Sequence, residues 1–142
     1  DRLTDLIKPQ KIFMGKKDFQ QQFLVKNFIE KKYKTKVIGC KTIRNSNKLA
    51  FSSRNSLLNK NEINIASQVS KKLFNIKKLI KNKKNIDSFL SNEKRKIQKT
   101  FKIKIEYLEL RNKKNLLISN NYIKSQLFVS YYLKNVRLID NF

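Results

Sequence analysis

The sequence predicts an α/β chain: a parallel βαβ portion first, then a small α+β domain with an antiparallel sheet. Three observations lead there. Within the first 40 residues an apolar tetrapeptide, a stretch with helical spacing and a second apolar tetrapeptide follow one another. Two longer helical patterns come next. The remainder holds alternating or continuous apolar runs of strand length. Strand, helix and strand over about 30 residues normally belong to a parallel sheet. Helices followed by a run of strands belong to an α+β domain.

Each element has its own signal. Residues 1–8 read as the end of a helix closed by Pro9. Lys11-Ile12-Phe13-Met14 is a short strand ending at Gly15. Over residues 18–33, Phe19, Phe23 and Phe28, with Leu24 and Ile29, recur at helical spacing. Asp18 suits the cap or first turn of that helix, where an acid meets the positive end of the dipole. Val37-Ile38-Gly39-Cys40 is the second strand. One such unit cannot bury both faces of its sheet. Residues 44–58 are polar, punctuated by Asn and Ser, and read as a loop. Asn59-Lys60-Asn61-Glu62 is a capping box with Asn in the cap position. It opens a helix to about Lys81 whose buried stripe is Ile65, Val69, Leu73, Ile76 and Ile80. After a solvated turn at residues 82–85, a second helix over residues 86–100 buries Phe89, Leu90 and Ile97. Phe101, Ile103, Ile105 and Tyr107 then alternate with Lys102, Lys104 and Glu106, the period of a half-buried strand. Leu116-Leu117-Ile118 fits strand or loop, and residues 127–133 and 136–139 are two further apolar runs. The boundary falls between residues 1–43 and 44–142.

Composition narrows the function. The chain has 142 residues, enough for one ordinary domain or for a small domain plus part of another. It starts with Asp1 rather than Met, which leads us to expect a piece of something longer. Ten Phe and five Tyr argue for a folded chain despite 31% charged residues. No apolar run approaches the roughly 20 residues that span a bilayer, and no signal segment opens the chain. Cys40 is the only cysteine, so no internal disulfide forms, and a reducing cytoplasm is the simplest compartment. Cys40 itself reads as a small core residue, since a chain without histidine has none to activate a nucleophilic thiol.

The net charge of +24 invites a nucleic-acid partner. Against it, only six of the 34 cations are Arg, the residue whose planar fork suits phosphate and base edges. The Lys residues are spread along the whole chain, and Lys, Asn and Ile are all specified by A- and T-rich codons. Neither a specific nucleic acid nor a membrane is expected as a partner.

The chemistry-bearing segments are few. Gly15-Lys16-Lys17-Asp18-Phe19-Gln20-Gln21 follows a strand end, where open α/β sheets bind ligands and where glycine lets a backbone approach one closely. The same segment also fits a plain strand-to-helix turn. Leu49-Ala50-Phe51-Ser52-Ser53-Arg54-Asn55 follows Thr42-Ile43-Arg44. Ser52, Ser53 and Arg54 offer two hydroxyls, backbone donors and a permanent cation to a triphosphate. Read alone, they equally fit a surface turn, and Arg44 fits a surface ion pair.

These two segments, with Ile105-Glu106-Tyr107-Leu108-Glu109 and Val136-Arg137-Leu138-Ile139-Asp140-Asn141, resemble in order and spacing the C-terminal half of the pantothenate synthetase (pantoate–β-alanine ligase) family. The resemblance runs from one end of the chain to the other. It implies a Rossmann-like nucleotide-binding domain ending at residue 43 and a small lid domain over residues 44–142. It implies ATP-dependent, AMP-forming ligation of pantoate and β-alanine through a pantoyl-adenylate, with ATP accompanied by Mg²⁺, in an enzyme that is a homodimer at full length. It assigns ATP contacts to Gly15, Lys16, Lys17, Asp18, Ile43 (through its backbone), Phe51, Ser52, Ser53 and Arg54, and pantoate to Gln21. No catalytic residue is expected in this chain, because the family's histidines are absent from it. Lys16, Lys41 and Lys48 stand where the family usually has Glu, Pro and Gly, departures that bear on the hinge by which the lid closes. Two rivals remain at this stage. One is a basic RNA-binding or ribosome-associated protein, suggested by the charge and by aromatics such as Tyr131 and Tyr132. The other is a decayed remnant, suggested by the three Lys departures.

Overall fold

Pro9 and Gly15 bracket the first strand. In the computed structural model, which describes residues 2–142, helix α1 (Arg2–Ile7) ends at Lys8, whose φ of 48° and bond to the Thr4 carbonyl (2.9 Å) stop it in the left-handed region before Pro9. Strands β1 (Lys11–Gly15) and β2 (Lys36–Cys40) pair in parallel, Lys11 opposite Lys36 and Gly15 opposite Cys40. A 3₁₀ turn at Lys16–Asp18 and helix α2 (Phe19–Lys32) make the crossover. The Thr35 hydroxyl donates to the Pro9 carbonyl at 2.6 Å, and Glu30 accepts from the Val37 amide at 2.9 Å, so polar contacts fix where β2 starts. Of the apolar residues of α2, Ile29 is buried while Leu24 and Phe28 stay exposed.

Two expectations for this region are corrected. Asp18 occupies the residue before α2 but makes no side-chain capping bond. Its ψ of 51° departs from the extended geometry of a capping residue, because the 3₁₀ turn runs straight into the helix. Cys40 is exposed rather than core, being the last residue of a short strand whose buried positions are Val37 and, in part, Gly39.

The chain divides into two compact units, one ending at Thr42 and one beginning at Ile43. The second unit has helices α3 (Lys60–Ile80) and α4 (Ile86–Phe101) and strands β3 (Lys104–Asn112), β4 (Ser125–Leu133) and β5 (Val136–Asn141). The strands form an antiparallel sheet in the order β3-β4-β5. The capping box is formed as the sequence predicts. Asn59 accepts from the Glu62 amide at 3.0 Å and Glu62 accepts from the Asn59 amide at 2.8 Å. Helix α4 is capped by Asn85, which accepts from the Ser88 amide at 3.0 Å. Val69, Leu73, Ile76 and Ile80 from α3 and Ile86, Leu90 and Ile97 from α4 form one apolar cluster with Ile105, Leu108, Leu127, Val129, Tyr131 and Leu138 of the sheet. Ile65 and Phe89 are only half-buried; Ala66 and Ile86 hold the fully buried positions at their ends of the stripes.

The alternating stretch begins later than its pattern suggests. Phe101 is the last residue of α4, and Lys102, at φ 50°, ends that helix in the left-handed region. Strand β3 starts at Lys104 and carries a bulge between Ile105 and Tyr107. The bulge shifts the buried face from Ile105 to Leu108 and Leu110, and leaves Glu106 to accept from Arg137 at 2.7 Å and from the Ser130 hydroxyl at 2.8 Å. Those two bonds hold the Glu106 carboxyl below its ordinary value. Leu116-Leu117-Ile118 lies in the β3–β4 connection, held to the end of β3 by a bridge between Ile118 and Arg111 and by the Leu117 carbonyl accepting from the Asn112 amide at 2.9 Å. Among the described residues no helix is long and apolar enough to cross a membrane.

Candidate functional site

The first unit presents Gly15, Lys16, Lys17 and Asp18 in sequence at the C-terminal end of its parallel strands. Gly15 has extended backbone (φ −66°, ψ 128°), and a Cβ built there meets nothing within 4 Å. The fold of this unit therefore does not require glycine at 15, and the space beside it is open. Gly39 on the neighbouring strand is different: a Cβ there would collide with the side-chain amide of Gln22 and approach Lys16 Cε to 2.9 Å. Gln22 is buried against β2, whereas Gln21, the residue that the resemblance assigns to pantoate, is exposed on α2. Gln22 was not singled out by the sequence. The close approach that glycine permits at residue 39 is the one local signal that points to it.

The second unit orders the polar segment after Ile43 more tightly than a loop reading implies. Residues 43–51 form a small hairpin. The Phe51 amide donates to the Ile43 carbonyl at 3.1 Å, Arg44 bridges to Ala50, and the Asn45 amide donates to the Leu49 carbonyl at 3.0 Å. Asn45 also accepts from the Leu49 amide through its side chain at 3.0 Å, an Asx-type closure, with Lys48 at φ 70° in the turn. Ser53–Leu57 follows as a 3₁₀ turn. The Ser52 hydroxyl oxygen accepts from the Arg54 amide at 3.2 Å, and the Asn55 side chain donates to the Ala50 carbonyl at 3.0 Å. The resulting turn holds Ser53 and Arg54 at the surface, with Ile43 and Phe51 exposed beside them. Ser52 keeps its own hydroxyl hydrogen available to donate.

Arg44 is more than a surface ion pair. Its guanidinium meets Asp140 in a two-pronged contact (Nη1 to Oδ2 2.7 Å, Nη2 to Oδ1 2.8 Å) and also donates to the carbonyls of Lys48 and Asn141, both at 3.0 Å. It lies 5.0 Å from the ring centre of Phe74 and 4.7 Å from that of Phe142, two rings packed edge to face at 4.9 Å. Burial first, and then the Asp140 charge, pushes the Tyr131 hydroxyl above its ordinary value.

The two units thus hold, in chain order, a glycine-lysine-lysine-aspartate turn after a parallel strand and a serine-serine-arginine turn after a clamped hairpin. An α/β chain with these segments falls into one known family. Residues 1–142 match the family model described as pantoate-beta-alanine ligase, and the chain belongs to that family. It is 34% identical over 149 residues to the pantothenate synthetase of Flavobacterium psychrophilum, covering 99% of this chain and 51% of that protein. It is 43% identical over 110 residues to a bifunctional pantoate ligase/cytidylate kinase of Prochlorococcus marinus, covering 76% of this chain and 21% of that protein. Among solved structures, a pantothenate synthetase from Thermus thermophilus superposes with a TM-score of 0.88 over 99% of this chain and 52% of that one, at 24% identity, a likeness of fold. A pantoate-beta-alanine ligase from Francisella tularensis, complexed with beta-gamma ATP and β-alanine, has a TM-score of 0.74 at 30% identity over 99% of this chain and 46% of that one. The chain spans about half the length of the curated relatives it matches. An RNA-binding role draws no support from these matches.

Proposed function

We propose that the complete protein joins pantoate to β-alanine at the expense of ATP. A pantoate carboxylate oxygen attacks the α-phosphorus of ATP, and pyrophosphate leaves. The β-alanine amine then attacks the acyl carbon of the pantoyl-adenylate, and AMP leaves as the amide of pantothenate forms. The observation that carries this reading is the family match over residues 1–142. Catalysis of the first step is mostly positioning and neutralisation of charge.

On this reading Lys17, Ser52, Ser53 and Arg54 hold the phosphates, and Asp18 holds the ribose. Gly15, Lys16, Phe51 and the backbone of Ile43 contact the nucleotide, and Gln21 holds pantoate. The exposure of Ser53 and Arg54 and the open space beside Gly15 support these assignments. Mg²⁺ would come with the phosphates of ATP and would supply charge neutralisation there, since it usually keeps several waters and takes only one or two carboxylates from a protein. These 142 residues contain no histidine, so chemistry assigned to histidines in the family is not carried by them. Residues 1–43 serve as the end of a nucleotide-binding domain and residues 44–142 as its lid domain. The complete protein works as a homodimer in the cytoplasm on small-molecule substrates, with no specific nucleic acid and no membrane among its partners.

The test is pantoate-dependent exchange of pyrophosphate into ATP by the complete protein. Exchange that requires pantoate is the expected result, and its absence overturns the reading. Arg54→Ala sharpens it. Loss of a charge-assisted bond to phosphate raises the KM for ATP by about tenfold or more, while an exposed side chain leaves the melting temperature in place.

A further inference from the structure

We propose that Arg44 and Asp140 are positioning residues: their contact fixes the hairpin that presents Ser52, Ser53 and Arg54, and thereby sets the affinity for ATP. This rests on the ligase reading above. Asp140 lies in β5, 96 positions along the chain from Arg44, so the contact ties the last strand of the sheet to the base of the hairpin. Four hydrogen bonds converge on one guanidinium. Two lock its plane to the Asp140 carboxylate, one reaches the Asn141 carbonyl beside it, and one reaches across the hairpin turn to the Lys48 carbonyl. A planar fork held this way has little rotational freedom. The Phe74 and Phe142 rings close off water, and the two charged side chains are 15% and 7% exposed.

From Arg44 the restraint runs on without a break. Arg44 bridges to Ala50, the Ala50 carbonyl accepts from the Asn55 side chain, and the Asn55 amide donates to the Ser52 carbonyl. The serine-serine-arginine turn is therefore three bonded steps from the clamp. A shielded ion pair of this kind adds little stability beyond that of apolar residues of similar volume. What it supplies that an apolar pair does not is a fixed direction, which the neighbouring turn inherits.

The experiment separates direction from stability in the complete protein. Arg44→Lys keeps the charge and loses the fork. The double variant Arg44→Met, Asp140→Leu removes both charges and keeps the volume, which protects folding. Steady-state kinetics, melting temperature and amide hydrogen exchange of residues 52–57 are read for each. We expect the KM for ATP to rise about tenfold in both variants with the KM for β-alanine within about twofold. We expect residues 52–57 to exchange about tenfold faster, with the double variant melting near the wild type. Recovery of both the KM for ATP and the exchange rate in a double variant of wild-type stability would show a structural pair only, and would overturn the proposal. Wild-type protein without pantoate-dependent exchange removes the ligase reading and the ATP half of the proposal. The amide exchange still decides whether Arg44 and Asp140 order the turn.

Discussion

The two units of this chain use opposite means to hold a polar segment in place. In the first, a two-stranded parallel pair and one crossover helix bury two apolar side chains among the described residues, Ile29 and Val37, while Phe13 and Leu24 are each 64% exposed. In the second, two helices on an antiparallel sheet bury a cluster that includes Val69, Leu73 and Ile76 with no exposure at all. The glycine-lysine-lysine turn of the first unit follows directly from a strand end. The serine-serine-arginine turn of the second lies between a small hairpin and the start of α3, and side chains hold it: Arg44 to Asp140, Asn45 to Leu49, Asn55 to Ala50. The difference teaches that a βαβ crossover sets a turn down where a strand ends, whereas the serine-serine-arginine turn relies on a set of side-chain bonds, one of them to a residue 96 positions away.

The largest effect should separate the two units by stability. Leu73→Ala leaves a cavity in a fully buried site and should cost about 3 kcal/mol. Phe28→Ala, at a site half exposed to solvent in α2, should cost about 0.5 kcal/mol. Denaturant unfolding of both variants checks the contrast, and equal losses would break it. A smaller effect divides the two glycines of the first unit. Gly39→Ala drives a methyl into Gln22 and Lys16 and should destabilise by about 1–2 kcal/mol. Gly15→Ala meets nothing and should leave the melting temperature unchanged, yet raise the KM for ATP in the complete protein if the open space beside it receives the nucleotide. A lower melting temperature for Gly15→Ala would instead place the need for glycine in the fold.

What could be read from sequence follows the same division. Local signals were legible. The capping box at Asn59 and Glu62 is a bond between residues three apart, and the βαβ order needs only periodicity and the breaks at Pro9 and Gly15. The start of β3 is masked in the sequence because Phe101 and Ile103 keep an alternating period across a helix end, and the left-handed residue that breaks it is Lys102, with no glycine to announce it. The bulge at Glu106 was hidden for a similar reason: one extra residue resets the buried face from 105 to 108 without changing the composition. Cys40 reads as apolar, but its place at a strand end leaves it in solvent. At the site, the segments themselves were visible as motifs. The partner of Arg44 was not, since a pair 96 residues apart has no spacing to recognise.

The smallest effect concerns Lys48, in the turn of the hairpin. Its φ of 70° lies where a Cβ crowds the following carbonyl, a cost of about 1 kcal/mol that glycine does not meet. The hairpin keeps this geometry because the Lys48 amide donates to Asn45 and its carbonyl accepts from Arg44, both at 3.0 Å, and those bonds need no side chain. Lys48→Gly should therefore stabilise the second unit by about 0.5 kcal/mol, after allowing for the wider freedom of glycine in the unfolded chain. Lys48→Ala removes the same charge and keeps the Cβ, so it should give no gain. Thermal unfolding of the pair decides the matter: a gain for alanine equal to that for glycine would assign the effect to charge, in a chain of net charge +24, and not to the backbone. The same exchange at Lys8, φ 48° at the end of α1, carries the comparison back to the first unit. There the left-handed residue ends α1 with its amide bonded to the Thr4 carbonyl at 2.9 Å, a bond that needs no side chain, so a gain of about 0.5 kcal/mol is expected there as well.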